Sequence, residues 1–240
     1  NPITEDMILK EKNIPFNPID DKIYYHIEKN KRTESPLRSL RDFHNLYVKD
    51  KLYSCTSNMF NKPSLLELAC GKAGDLPRWI KYDFSLIVGI DVTQDNIENK
   101  INGAIKRYSD HKEHYATDTK MYFLTGDCGK NIKNGSFATD FYNNIYKILW
   151  NSDKTVNINR NIDTSSLGIC RYGFDIISCQ FAIHYFFKNI QLLEGFIENL
   201  VENIKDNGFF IGTCFDGKTI FEHLQHLDQD SKIGHQINDN

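Results

Sequence analysis

The sequence predicts an α/β fold: a doubly wound, mostly parallel sheet with helices on both faces. Three observations predict it. Short runs that are apolar almost throughout recur at 65–69, 86–90, 121–124, 174–179 and 209–213. Segments with helical spacing lie between them, at about 75–82, 93–108, 137–150 and 191–204. A glycine-bearing turn, Cys70-Gly71-Lys72-Ala73-Gly74, joins the first run to the first of these helices. Strands buried on both faces lose the alternation of a half-exposed sheet, and crossover helices are what connect them in parallel. In such sheets ligands bind beyond the carboxyl ends of the strands. Residues just past each run are therefore the candidates for function.

Taken in order, residues 1–36 are polar and punctuated by Pro2, Pro15, Pro18 and Pro36, and read as an arm or linker ahead of a domain spanning 37–240. Ser35 as N-cap and Pro36 at the first helical position predict a helix start, with Leu37, Leu40, Phe43, Tyr47 and the stem of Lys51 along one face. In the last helical segment Leu192, Phe196, Leu200 and Ile204 form one stripe, and Asn207-Gly208 predicts its stop. The stretch 151–171 is rich in Asn and Ser, has no period, and reads as a surface insertion. A sixth strand would need more apolar chain after Phe215, whereas 216–240 is polar. Together with Asn1 in place of an initiating Met, this gives the expectation of a fragment of a longer multifunctional chain.

Composition narrows the function classes. The 240 residues are 40% hydrophobic and 25% charged, within the globular range, with a net charge of −3 that argues against a large generic nucleic-acid surface. The charge is uneven, since residues 22–51 hold eight Lys/Arg against four Asp/Glu. The six cysteines include no C-x-x-C pair, which points to reduced thiols in a cytoplasmic setting and to no bound metal. The longest apolar stretch, 174–187, is broken by Asp175, Gln180 and His184, so no membrane span is expected.

The turn carries the chemistry. Gly71 and Gly74 let backbone approach a ligand closely, and the helix start behind them offers unpaired N–H groups. Asp91 ends the second run twenty residues after Gly71, where a carboxylate can accept both ribose hydroxyls of a nucleoside. Without Asp91 the turn reads as an ordinary glycine turn. The nicotinamide fingerprint wants three glycines, and Glu67 within the first strand would repel a diphosphate. A carboxylate there suits a ligand bearing an amine and a sulfonium, S-adenosylmethionine. A nicotinamide dehydrogenase remains the alternative. Asp127 follows the third strand, where it can accept from an adenine amino group or simply cap a turn. Gln180, His184 and Tyr185 emerge past the fourth strand. Singly they read as core or loop residues, yet together they converge on the same edge.

The motifs Leu40-Arg41-Asp42-Phe43-His44-Asn45…Lys49, Leu66-Glu67-Leu68-Ala69-Cys70-Gly71-Lys72-Ala73-Gly74-Asp75-Leu76…Trp79 and Ser178-Cys179-Gln180-Phe181-Ala182-Ile183-His184-Tyr185 resemble the mRNA cap guanine-N7 methyltransferase family. They are most similar to the domains carried by capping enzymes of large DNA viruses, over about residues 24–216. The resemblance implies a Rossmann-like class I methyltransferase that uses S-adenosylmethionine, releases S-adenosylhomocysteine and needs no metal. It implies cofactor contacts from Lys49, Gly71, Asp91, Asp127 and Gln180, with Tyr185 at the junction of both ligands. His44, Asn45, His184 and the backbone of Gly74 would face the capped RNA, with Tyr24 or Tyr25 covering the guanine. It also implies triphosphatase and guanylyltransferase domains as partners on the same chain, and a cytoplasmic or virion setting. Three departures stand out. Ala69 and Ala73 replace glycines of the family, one extra residue separates Asn45 from Lys49, and the family's C-terminal cap-contacting glutamate and tyrosine have no counterpart.

Guanine N7 has a free lone pair and loses no proton on methylation, so the expected mechanism is in-line alignment with no acid or base residue; His184 and Tyr185 orient. Lys31, Arg32, Arg38 and Arg41 are candidates for the triphosphate bridge, or else a solvated face. Two other readings stay open: a methyltransferase acting on a different substrate, and a degenerate module that binds cap without transfer.

Overall fold

Among the described residues five parallel strands form one sheet: β1 (Ser64–Leu68), β2 (Leu86–Asp91), β3 (Lys120–Thr125), β4 (Phe174–Gln180) and β5 (Ile204–Thr213), in the spatial order β3-β2-β1-β4-β5. The computed structural model describes residues 38–114, 118–139, 142–151 and 164–224. Every residue of β1 and β2 is buried, which is why neither run alternates in sequence. The winding reverses between β1 and β4, where Glu67 lies opposite Ser178. A crevice opens at such a reversal, and the candidate residues border it.

The α-helices among these residues are α1 (Arg38–Phe43), α2 (Lys49–Ser57), α3 (Leu76–Lys81), α4 (Gln94–Glu98), α5 (Ala104–His114), α6 (Asn143–Leu149), α7 (Ile183–Phe186), α8 (Ile190–Asn203) and α9 (Gly217–Leu224). The core between sheet and helices is built on Leu65, Leu66, Leu68, Trp79, Ile87, Ile90, Leu124, Ile176 and Ile177. Among the described residues no helix is long and apolar enough to cross a membrane.

Several boundaries differ from expectation for local reasons. The single helix expected over 93–108 is two, α4 and α5. The Asn99 side chain accepts from Ile101 N–H (2.9 Å) and Asn102 N–H (3.2 Å), breaking the ladder. A Cβ at Gly103 would lie 2.6 Å from Asn99 N, so only glycine closes that turn. The helix expected over 137–150 shrinks to α6, because the chain near 138 is drawn into a bridge with Gly126. Asn207-Gly208 does not stop α8, which already ends at Asn203. Asn207 instead takes a positive φ within β5, beside a register shift between Phe174 and Ile176. Leu40, Phe43 and Tyr47 share the N-terminal helix but are exposed, so the predicted apolar face does not enter the core.

Buried amides do what the apolar stripe of α8 leaves undone. Asn199 accepts from Ile132 N–H (2.7 Å) and donates to the carbonyls of Cys128 and Lys130 (both 2.8 Å), fixing the loop that follows β3. The expected arm at 1–36, including Tyr24, Tyr25, Lys31 and Arg32, lies outside the described residues, as does most of the expected insertion at 151–171. The part of it from Thr164 to Ser166 forms a single 3-10 turn.

Candidate functional site

The turn after β1 is built from left-handed backbone. Ala69, Gly71 and Ala73 have φ of 55°, 55° and 53°. Alternating left-handed residues turn successive N–H groups to one side, the geometry of an anion- or dipole-binding nest. Glycine is the unstrained choice at such positions, and alanine at 69 and 73 keeps the same path at a cost. A Cβ placed on Gly71 or Gly74 would meet nothing within 4 Å, so the turn faces open space.

Asp91 locks that turn to β2. Its Oδ2 accepts from Gly71 N–H (2.8 Å), and its Oδ1 accepts from Thr93 N–H (2.9 Å) and the Asn96 amide (3.0 Å). A carboxylate has about four acceptor positions. Three are taken, which leaves room for one further donor rather than the pair expected. On β3's end, Asp127 Oδ1 accepts from Gly129 N–H (2.9 Å). Val92, directly after Asp91, is an exposed apolar side chain that sequence reading passed over.

The N-terminal helix reaches the same edge through a π-helical turn, His44–Val48, between α1 and α2. There Lys49 N–H donates to His44 O, five residues back. A π turn holds one more residue than an α turn. It thus has room for the extra residue between Asn45 and Lys49, and Lys49 comes to lie beside Asp75 and Phe181. Lys49 Nζ donates to Asp75 Oδ2 (2.9 Å) and lies 5.7 Å from the centre of the Phe181 ring. Arg78 grips the other Asp75 oxygen (2.6 Å) while its Nε donates to Asn45 O (2.8 Å). One buried carboxylate therefore docks the helix bearing His44 and Asn45 onto the start of α3.

At the end of β4 the Gln180 amide turns back toward the sheet. Its Nε2 donates to Ser178 Oγ (2.9 Å) and its Oε1 accepts from Thr213 Oγ1 (3.0 Å). Phe181 follows with φ 56°, a strained value for a bulky residue, held by its N–H between Thr213 O (2.9 Å) and Thr213 Oγ1 (3.1 Å). That backbone bend places Phe181 edge-on to His44, ring centres 4.9 Å apart. Phe215 continues the aromatic wall, 6.2 Å from Phe181 and 5.7 Å from His184, and Tyr185 lies against His184 at 4.2 Å. His184 and Tyr185 are exposed. His44 Nδ1 is buried and has no hydrogen-bond partner.

Two charges are unusual. Glu67 is 2% exposed, and burial, reinforced by Asp75, pushes its carboxyl up to about 8. Desolvation lowers His184 from its ordinary value, so the ring is neutral at pH 7. Neighbouring thiols of Cys70, Cys128 and Cys179 are all pushed up by burial and stay protonated. Among the described residues no group of three or more His, Cys, Asp or Glu is placed to hold a metal ion.

With that geometry in place, comparison with known proteins is decisive. A family model described as the mRNA (guanine-N(7))-methyltransferase domain matches residues 22–239. The chain belongs to that family. The match extends past residue 216 at the C-terminal side. Among its relatives is the "Probable mRNA-capping enzyme" of Acanthamoeba polyphaga mimivirus, 27% identical over 240 residues, covering 94% of this chain and 19% of that protein. The mRNA cap guanine-N(7) methyltransferases of Candida glabrata and Saccharomyces cerevisiae are 26% and 28% identical. They match over 98% and 79% of this chain, and 48% and 35% of those proteins. The chain thus spans less than half the length of these relatives. The PH0226 protein of Pyrococcus horikoshii OT3 overlaps at a TM-score of 0.44 with 18% identity, over 80% of this chain and 60% of that one, so the strand order and not that overlap carries the fold.

The structure brings Lys49, Glu67, Gly71, Asp91, Asp127, Gln180, His44, Asn45, Gly74, His184 and Tyr185 to one border of the sheet or its flanking helix. Tyr25 falls outside the described residues. Sequence reading missed Tyr53, Ser178, Thr213 and Phe215. Tyr53 and Thr213 look like core and strand residues, and nothing short of the register pairs Ser178 with Glu67. Arg38 and Arg41 are exposed and lie 3.5 and 3.6 Å from Asp42, within a solvated face.

Proposed function

We propose that this chain transfers a methyl group from S-adenosylmethionine to N7 of the guanine in a GpppN-capped RNA, releasing S-adenosylhomocysteine. The N7 lone pair forms the new C–N bond while the carbon–sulfur bond breaks and its electron pair returns to sulfur. S-Adenosylmethionine supplies the electrophilic methyl group on a sulfonium, so no metal and no acid or base residue enters. The residues fit that ligand: an open left-handed turn for backbone approach, a buried carboxylate at Glu67 near the cationic end, and the Lys49 amine for a carboxylate. Asp91 takes a ribose hydroxyl, Asp127 the adenine amino group, and Gln180 and Tyr185 border the methionine end.

The observation that carries the cap assignment is the His44 ring. Its buried Nδ1 lacks a partner, and the ring stands against Phe181 on the aromatic wall that includes Phe215 and His184. Leaving a buried polar atom unpaired costs about 1–3 kcal/mol; a turn of the ring toward a bound guanine would pair that atom with a base edge, while the aromatic wall adds stacking. His44, Asn45, His184 and the Gly74 backbone then hold the guanine in line, which belongs to proximity rather than proton transfer. Neutral His184 hydrogen-bonds the base or its ribose. Tyr25 of the preceding arm covers the guanine, and Arg38 and Arg41, with Lys31 and Arg32, meet the triphosphate. In the parent protein, triphosphatase and guanylyltransferase domains supply the GpppN end, as befits a multifunctional viral capping enzyme working in the cytoplasm. A degenerate cap-binding module is the less supported reading, because alanine at 69 and 73 preserves the left-handed turn.

The test is transfer of labelled methyl from S-adenosylmethionine to GpppA-capped RNA, with uncapped RNA and GTP as controls. The proposal expects N7-methylguanosine on digestion of capped RNA and no label on uncapped RNA. Label on a different atom, or equal labelling of uncapped RNA, refutes it.

A further inference from the structure

Tyr53 is a fully buried tyrosine on α2, yet its hydroxyl is not idle. It donates to Glu67 Oε2 (2.8 Å) on β1 and lies 3.1 Å from Ser178 Oγ on β4. Ser178 in turn accepts from Gln180 Nε2, and Gln180 accepts from Thr213 of β5. One polar chain, Glu67–Tyr53–Ser178–Gln180–Thr213, therefore crosses from the N-terminal helix through three strands beneath the site. Buried polar chains rigidify a structure when every member is satisfied. Four residues before Tyr53 on the same helix stands Lys49, and the π turn with His44 and Asn45 precedes it.

We propose that Tyr53 is a positioning residue of the methyl-transfer site: its phenol seats α2 on the ends of β1 and β4 and holds the Glu67 carboxylate for a cationic ligand. The inference rests on the reading of this edge as the S-adenosylmethionine site. It assigns Tyr53 no contact with substrate; the residue acts through Glu67, Ser178 and the lie of α2.

Groups from several elements face Glu67. Tyr53 and Lys49 come from α2, Asp75 from the start of α3, Ser178 from β4, and the Cys70, Cys128 and Cys179 thiols from the surrounding loops and strand. The thiols and the phenol are pushed upward and stay neutral around pH 8. Lys49 and the hydrogen bonds from Ser178 and Tyr53 favour the carboxylate, while burial and Asp75 oppose it. Removing the Tyr53 hydroxyl removes one of the few groups that favour the charged form. A hydrogen bond to a charged group is worth about tenfold in an equilibrium, or somewhat more.

The experiment compares wild type, Tyr53→Phe and Glu67→Gln, with Ser178→Ala as a second probe should Tyr53→Phe not fold. Two readouts are taken: S-adenosylmethionine affinity by calorimetry from pH 6 to about 9, and the infrared carbonyl band of the protonated Glu67 carboxyl in ligand-free protein. The Glu67→Gln variant identifies that band by its loss. Wild type should bind more tightly as pH rises through about 8. Tyr53→Phe should bind about tenfold more weakly at pH 7, with its rise displaced upward by about one pH unit, and its ligand-free carbonyl titration displaced the same way. Ser178→Ala should displace both in the same direction. Glu67→Gln should bind weakly and without pH dependence. Unchanged titration and affinity in Tyr53→Phe overturn the role, as does a variant that only melts earlier. A wild-type protein that titrates as described but binds no S-adenosylmethionine overturns the cofactor reading itself, and with it the role given to Tyr53.

Discussion

Asp75→Asn removes one negative charge from between two cations while keeping the side chain's shape. In the native site Asp75 Oδ2 takes Lys49 Nζ at 2.9 Å and Oδ1 takes Arg78 Nη1 at 2.6 Å. The three side chains are only 7%, 13% and 12% exposed, so solvent screens them little. Breaking a buried pair by neutralising one partner costs about 3–5 kcal/mol. Asparagine retains one acceptor oxygen, and the slight exposure softens the penalty, so the lower end, about 3 kcal/mol, is expected. For a domain of this size each kcal/mol shifts Tm by about 2–4 °C, which gives a fall of about 6–12 °C. Urea and thermal unfolding followed by circular dichroism measure it. A double-mutant cycle with Lys49→Met isolates the pair, because residues in direct contact couple by about 0.5–3 kcal/mol. A loss under about 1 kcal/mol, or additive effects in the cycle, would show that Asp75 does not dock the His44 helix and would refute the reasoning.

Three further outcomes follow from the same geometry. Glu67 releases its proton near pH 4.5 unfolded and near 8 folded, so between those values the folded state binds more protons and stability falls as pH rises. The contribution is complete below about pH 4.5, is lost at up to about 1.4 kcal/mol per pH unit, and is gone above about pH 8; Glu67→Gln should flatten that part of a stability–pH curve. Ala69→Gly should stabilise slightly, by about 0.5 kcal/mol in denaturant unfolding, because a left-handed alanine costs about 1–2 kcal/mol and glycine's extra freedom returns about 0.5–1. Because desolvation lowers His184 from its ordinary value, the change in transfer rate that accompanies loss of its proton, measured at saturating S-adenosylmethionine, should fall below about pH 6.5, which a rate–pH profile checks.

Most of the sheet was legible because burial on both faces leaves a mark in sequence. Leu65 through Leu68 and Leu86 through Ile90 read as strands, and Asp91 and Asp127 fall where strand ends must be. Helix ends were less legible, since they were decided by contacts remote in sequence. The Asn99 and Gly103 break looks like mid-helix polarity, and Asn207-Gly208 looks like a C-cap until its pairing with β4 is seen. The site followed the same division. Gly71, Glu67 and His184 announce themselves by type and place. Lys49 was obscured by one extra residue that the π turn has room for, a device with no composition signature. Tyr53 carries no sequence signal at all, because a buried aromatic on an amphipathic helix is ordinary until a carboxylate is found under its hydroxyl. Phe215 is similar, as its role depends on the bend at Phe181.

The central claim is that one edge of the sheet binds S-adenosylmethionine and, against it, a capped guanine. The most direct test is methyl transfer to GpppA-capped RNA by wild type, His44→Ala and His184→Ala, with S-adenosylmethionine affinity measured on the same three proteins. Each histidine contributes one positioning hydrogen bond, so kcat/KM for capped RNA should fall by about 10–100-fold while cofactor affinity changes by less than about twofold. Transfer to capped RNA that is indifferent to both substitutions, or cofactor affinity that falls in step with transfer, would contradict the account.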